Sequence, residues 1–199
     1  MPLRPSAMKE HWDPSARSFM QLWRDFSHDV TDADIFARML AATRDSSRIT
    51  VEDLLGGLYI SNLESLVRYW NDCEHFGQLV QKECGVRSQR WHYWLSYGDE
   101  MRRAPKAHHL SGRKFIVWLL GKQSSASWRV FERDPTVLEV YSAASDFAKA
   151  KLNSRKATQP VITSRHVLLA IVQRRGLAIS AKLLASGLDI QTLERDVVE

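Results

Sequence analysis

Ile162-Thr-Ser-Arg-His-Val-Leu-Leu-Ala-Ile-Val172 decides how this 199-residue chain reads. Thr163 stands where a hydroxyl can cap the free N–H groups that open a helix, and Ile162 before it can fold back as an apolar staple. Val167, Leu168, Ile171 and Val172 then fall at i, i+1, i+4 and i+5, one apolar stripe of a helix facing a core. The same pattern occurs twice more. Ile49-Thr50 leads to Leu54, Leu55, Leu58 and Tyr59, and Leu110-Ser111 leads to Phe115, Ile116, Leu119 and Leu120. A capped short helix seen three times is the mark of a helical repeat.

The repeats extend on both sides of the stripe. A helix follows each one, carrying Leu79-Val80, Val130-Phe131 or Leu183-Leu184, and the first and third end near Gly85-Val86 and Gly187-Leu188. A helical stretch also precedes each stripe: 32–44, 88–103 and 136–153. The whole set reads as helices over 15–26, 32–44, 50–59, 62–72, 75–84, 88–103, 111–121, 126–133, 136–153, 163–174, 177–186 and 189–198. Between stripe and apolar pair the first unit is longer than the other two, so an insertion is expected around 60–70. Asp134-Pro135 is a helix start, with the acid as cap and proline in the first turn. Gly85, Gly176 and Gly187 sit where left-handed glycines end helices. The expected fold class is all-α.

At this point the third unit resembles the Clp N-terminal repeat. Thr163-Ser-Arg-His-Val-Leu-Leu-Ala-Ile matches a motif that in the family runs Thr-x-Glu-His-Leu-Leu-Leu-Ala-Leu, and Leu183-Leu-Ala-Ser-Gly-Leu-Asp189 matches the helix end that follows it. The resemblance is strongest over 135–199, degenerate over 87–134 and weak over 30–86. Arg165 replaces the family's Glu, while Lys114 and Asp53 stand where the third unit has His166. The resemblance implies a pseudo-symmetric helical bundle made of the double repeat 87–199. Before it would come a helical extension, 15–86, with a possible divergent repeat, and a flexible N-terminus, 1–14. It also implies a chaperone-linked adaptor role. The module would recruit a protein or peptide partner (an adaptor, a substrate or a secretion component) to an AAA+ ATPase in cis or in trans.

Charge gives a second clue. The chain carries +5 overall, yet 87–133 holds ten Lys/Arg against three acids, or +7, so the remainder is net negative. Trp91, Trp94, Trp118 and Trp128, four of the seven tryptophans, lie in that basic segment. An acidic partner is the natural complement. The alternative is a nucleic acid held by the basic, aromatic segment, although no reading motif accompanies it. The longest apolar run, 115–120, is far too short to span a membrane, and no apolar leader precedes the first helix. Two cysteines without metal-ligand spacing make neither a disulfide framework nor a zinc site. The expectation is cytoplasmic.

Catalytic patterns are not evident, and the chain reads as no enzyme, with no cofactor and no metal. Gly121-Lys122-Gln123 lacks the upstream glycine and the following hydroxyl of a phosphate-binding loop. Ser111-Gly-Arg-Lys114 has the Ser-x-x-Lys spacing, but the repeat accounts for Ser111 as a cap. His166 reads as a core or boundary histidine with a satisfied hydrogen bond, and His108-His109 as exposed. Asp32, Asp34, Glu52 and Asp53 read as first-turn acids favoured by the helix dipole, and Cys73 and Cys84 as buried or inert thiols.

The stretch 88–103 offers the candidate site. Trp91, Trp94, Leu95, Gly98 and Met101 share one side of the helix and should face the core. Arg90, Tyr93 and Tyr97 share another, continued by Arg102, Arg103 and Lys106. This second side is either a solvated basic face with snorkelling rings or a partner-binding face, since Tyr, Trp and Arg are enriched at interface hot spots. The candidate partner-binding residues are Arg90, Tyr93, Tyr97, Arg102 and Arg103.

Overall fold

The computed structural model describes residues 22–103, 132–154, 159–174 and 176–198. The expectations on 1–14, on the helix start at 15–21 and on the second unit's stripe (Phe115 to Leu120, with Ser111, Lys114, Val130 and Phe131) lie outside these residues. What is described is almost wholly helical, as expected. The first unit comprises α1 (His28–Thr43), a two-residue strand β1 (Arg48–Ile49), α2 (Val51–Leu66), a 3-10 turn (Val67–Tyr69), α3 (Cys73–Glu83) and α4 (Ser88–Arg103). After 104–131 come β2 (Glu132–Arg133), α5 (Pro135–Ser154), α6 (Ser164–Gln173), α7 (Ala178–Ala185) and α8 (Ile190–Val198).

The capped stripes form as their spacing requires. Thr50 caps α2, and Asp53 reaches back so that its Oδ2 accepts from Thr50 N at 2.9 Å. Thr163 caps α6, and His166 Nδ1 takes the place of that carboxylate oxygen at 3.1 Å from Thr163 N. Leu54, Leu55, Leu58 and Tyr59 are buried in the same core as Val167, Leu168, Ile171 and Val172. Gly85 and Gly187 end α3 and α7 with φ of 63° and 86°, the left-handed region open to glycine.

The two units are built alike, helix for helix. Each has a long leading helix, a capped helix packed against it, a short third helix and a last helix, α4 or α8, that returns onto the capped one. The stretch 88–103, read from sequence as the leading helix of a second unit, therefore closes the first unit, as 190–198 closes the third. Physically, its buried Trp91 finds its partner, Tyr59, on α2, upstream in the chain.

Parallel seams join the units. Phe26, two residues before α1, bridges Ile162, two residues before α6. Arg133, two residues before α5, pairs with Ile49, two residues before α2. The bonds repeat as well: Ser27 N donates to Ile162 O and Asp134 N to Ile49 O, both at 2.9 Å. Each unit's lead-in thus pairs with the other unit's cap segment, a pseudo-two-fold exchange. Residues 132–133, expected at the end of a helix over 126–133, are extended because this seam satisfies their backbone groups. The larger of two apolar clusters among the described residues runs from Val30 to Val197 across both units. The first unit is thereby built into the same body as the third.

The expected insertion around 60–70 is core. Ile60, Leu66 and Tyr69 are fully buried, and α2 continues through it to Leu66 with one non-helical residue, Asn62 at φ −132°. Asn62 Nδ2 donates to Asp29 O at 3.0 Å, a tertiary bond that accompanies the kink. Beyond it, Trp70 Nε1 donates to Ser186 Oγ at 2.9 Å and Asp189 N to Tyr69 O at 2.8 Å, so the segment docks on the end of the third unit.

Candidate functional site

One side of α4 is anchored firmly. Trp91 and Trp94 are buried, and Trp91 stacks on Tyr59 at 5.6 Å between centroids. Tyr59 meets Phe76 edge-on at 5.2 Å, and Phe76 stacks on Trp70 at 3.6 Å, so rings run from α4 to the 3-10 turn. Gly98 is where α4 comes closest to α2: a Cβ there would lie 2.6 Å from Ile60 O. Leu95 packs at the edge of this core. The core-facing side of the helix is the one its spacing predicts, apart from Met101, whose side chain lies outside the described residues.

The opposite side divides the candidate residues into two kinds. Arg90 is exposed, its guanidinium near the end of α1 with Nη1 3.5 Å from Thr43 O. Tyr93 is half exposed and meets Trp94 edge-on at 5.1 Å. Tyr97 is a wedge instead, set edge-on between Phe36 at 6.0 Å and Trp94 at 6.4 Å. Burial pushes its hydroxyl up to about 12, helped by Tyr93, Glu100 and Asp32. Arg102 and Arg103 belong to the last turn of α4; their side chains, like Lys106, lie outside the described residues. The structure therefore brings Arg90 and Tyr93 together on an exposed face. It adds two cations that sequence spacing did not single out. Arg87 is exposed just before α4, and Arg44 Cδ would sit 3.6 Å from a Cβ on Gly85. Arg44 was hidden because it sits at the far end of another helix, where it also pairs with Asp53.

Among the described residues, the cations of the basic segment do not share one surface. Arg133, one of its ten cations, is 11% exposed and holds Asp34 across the unit boundary, Nη2 to Oδ2 at 2.7 Å. Asp99 and Glu100 are exposed on the same helix as Arg90.

The remaining candidates have structural employment or lie elsewhere. Asp34 is fully buried in the second turn of a helix that begins at His28, not in the first turn as expected, and accepts from Arg38, Arg133 and Tyr141. Asp53 is fully buried too; burial pushes its carboxyl above the usual range, against the opposing pull of Thr50 and Arg44. His166 is a buried capping residue. Cys84 is buried, with Sγ 3.0 Å from Glu52 O and its thiol pushed up by burial, whereas Cys73, expected to be buried or inert, is exposed. His108 and His109 lie outside the described residues. Among the described residues no group of three His, Cys, Asp or Glu is placed to hold a metal ion, and no helix is long and apolar enough to cross a membrane. Neither a protein-family model nor a curated protein matches the chain.

Proposed function

We propose that this chain is a non-catalytic protein-interaction module of the Clp N-terminal type, which recruits a protein or peptide partner to an AAA+ unfoldase or a related assembly. The observation that carries the reading is the pseudo-two-fold pair of four-helix units, each with a Thr-capped helix at its centre. It supports a double-repeat reading, with the paired units at 28–103 and 135–198 in place of the two repeats within 87–199 that the resemblance implies. Arg90 and Tyr93, exposed over a rigid bed of buried Trp91 and Trp94, are the contact residues. With Arg87 and Arg44 nearby, they suit an acidic helix carrying an apolar stripe. Two cysteines without disulfide or metal spacing support a cytoplasmic location.

The test uses the full chain and a labelled, glutamate-rich amphipathic peptide. Binding by fluorescence anisotropy should weaken on the order of tenfold in the R90A/Y93A variant, as for loss of a hot-spot pair, and a lysine-rich peptide of the same pattern should not compete. Equal binding by variant and parent, or equal competition by the basic peptide, overturns the reading. A mobility shift with random oligonucleotides that weakens steeply with salt would favour the nucleic-acid alternative.

A further inference from the structure

Trp94 carries an unused hydrogen-bond donor. Its side chain is 5% exposed, yet Nε1 meets no acceptor among the described residues. Trp70, equally buried, does find one: its Nε1 donates to Ser186 Oγ at 2.9 Å. An indole N–H can only donate, and a buried one ordinarily reaches an oxygen. Without one, the group has given up its bond to water for nothing, which costs stability in the free protein.

The indole stands at the border of the contact face. On a helix surface the neighbours of residue 94 are 90, 91, 97 and 98, three and four positions away. Trp91 and Gly98 are on the buried side, whereas Arg90 is exposed and Tyr97 half-buried on the other. The ring of Tyr93 meets the indole edge-on at 5.1 Å and is itself 50% exposed. A ring with that much freedom can tip outward, because exposed side chains change rotamer readily.

Charge decides what arrives there. Arg87 and Arg90 are exposed at the start of α4, and Arg44 lies beside Gly85, whereas Asp99 and Glu100 stand beyond Trp94 on the same helix. A carboxylate is drawn to the Arg90 end and repelled from the other. It can only accept, which complements a group that can only donate. We infer that Trp94 Nε1 is the specificity-determining donor of this face: a glutamate or aspartate side chain of the partner, steered by Arg87 and Arg90, accepts from it once the Tyr93 ring has tipped aside to lie against the partner. The inference rests on the contact face proposed above and names the group with which that face reads its ligand. A cationic or apolar side chain brought to the same place leaves the indole without an acceptor, so the donor also selects against wrong partners.

The test is proton–nitrogen NMR of the full chain with the glutamate-rich amphipathic peptide, its C-terminus amidated so that every carboxylate is a side chain. Seven tryptophans give seven indole N–H signals, and Trp94→Phe identifies that of Trp94 by its loss. If that variant fails to fold, magnetisation transfer to the Tyr93 ring identifies the signal instead. On peptide addition the Trp94 signal should move downfield further than any other indole signal, as a new bond to an oxygen requires, and its exchange with solvent should slow. The affinity of W94F for the peptide should fall on the order of tenfold, the size of a hydrogen bond to a charged acceptor. A Trp94 signal that stays in place when the peptide is bound, or W94F binding as tightly as the parent, overturns the inference and leaves the contact face standing. A peptide that does not bind the parent chain overturns the contact face itself, and this inference with it.

Discussion

Tyr141 and Asp34 hold the same position in the two leading helices, each seven residues after its N-cap (Asp134 and Ser27), and they touch: the Tyr141 hydroxyl donates to Asp34 Oδ1 at 3.1 Å. Both are fully buried. The residues that lead into the helices cross over to meet them. Phe26 packs its ring on Tyr141 at 4.8 Å, and Arg133 grips Asp34 with two nitrogens. One geometric contact, made twice, is apolar in one half and ionic in the other. Such a pair favours correct mating of the halves, because an ion pair and a ring pair cannot exchange partners without burying an unmatched charge.

Removing Asp34 should therefore be costly. Asp34→Ala leaves Arg133 buried without its carboxylate and takes an acceptor from Arg38 and Tyr141, for an expected loss of about 3–5 kcal/mol in urea unfolding. The double variant D34L/R133M, which replaces the pair by apolar groups of similar length, should recover most of that loss. A double variant no better than D34A would show that the pair matters for more than satisfying its own charges.

Paired glycines let α1 and α2 approach closely. A Cβ on Gly57 would lie 2.0 Å from Ala33 O, a backbone atom that cannot step aside, whereas one on Gly56 would meet the side-chain tips of Cys84 and Leu40 at 2.5 Å. In an exposed helix either change to alanine would gain about 1 kcal/mol. Here Gly57→Ala should destabilise by at least about 2–3 kcal/mol, as overpacking does, and Gly56→Ala by less. A neutral or stabilising Gly57→Ala, read by thermal melting, would contradict the close packing.

Alkaline pH should unfold the chain through its tyrosines. Burial raises the hydroxyls of Tyr59, Tyr69, Tyr97 and Tyr141, four of the five tyrosines, with Tyr97 at about 12 and Tyr141 further held up by the charge of Asp34. For an acid whose folded-state value is raised, stabilisation is full below its unfolded value and is lost as pH rises through the folded one. Stability should thus decline from about pH 10, where unfolded tyrosines ionise. Phenolate absorbance should appear together with loss of the helical circular dichroism signal. Ionisation of most tyrosines while the helices remain intact would contradict their burial.

The sequence made the local signals legible and hid the exchange between units. Thr50 and Thr163 announce their helices because a cap and its stripe lie within ten residues of each other, and Trp91 and Trp94 announce a buried face by helical spacing. A seam of two residues carries no period, so Arg133 reads as one more cation of a basic stretch and Glu132 as the end of a helix. Asp34 reads as a dipole-friendly acid because the three donors that justify its burial include one from 99 residues away. Ile60 to Trp70 looks inserted only when the units are aligned by length; its apolar residues are in fact the dock for the third unit. The candidate face was legible in part: spacing placed Arg90, Tyr93 and Tyr97 on one side, but a three-residue step along a helix cannot reveal that Phe36 of α1 closes over the last of them.

That difference separates binding from folding at the candidate face. Arg90 and Tyr93 make few contacts with the rest of the protein, so Arg90→Ala and Tyr93→Ala should each stay within about 0.5 kcal/mol of the parent in stability. Tyr97→Ala removes a ring packed between Phe36 and Trp94 and should cost about 2–3 kcal/mol, short of the full value for a wholly buried aromatic. Tyr97→Phe keeps the ring between Phe36 and Trp94 and should retain most of the stability that Tyr97→Ala loses. If the face binds an acidic helix, R90A and Y93A weaken capture at unchanged melting temperature, while Y97F leaves capture unchanged. Loss of capture in Y97F with R90A and Y93A unaffected would move the contact to the α1–α4 edge and away from the exposed pair. Urea unfolding and peptide anisotropy on the same four variants read both outcomes.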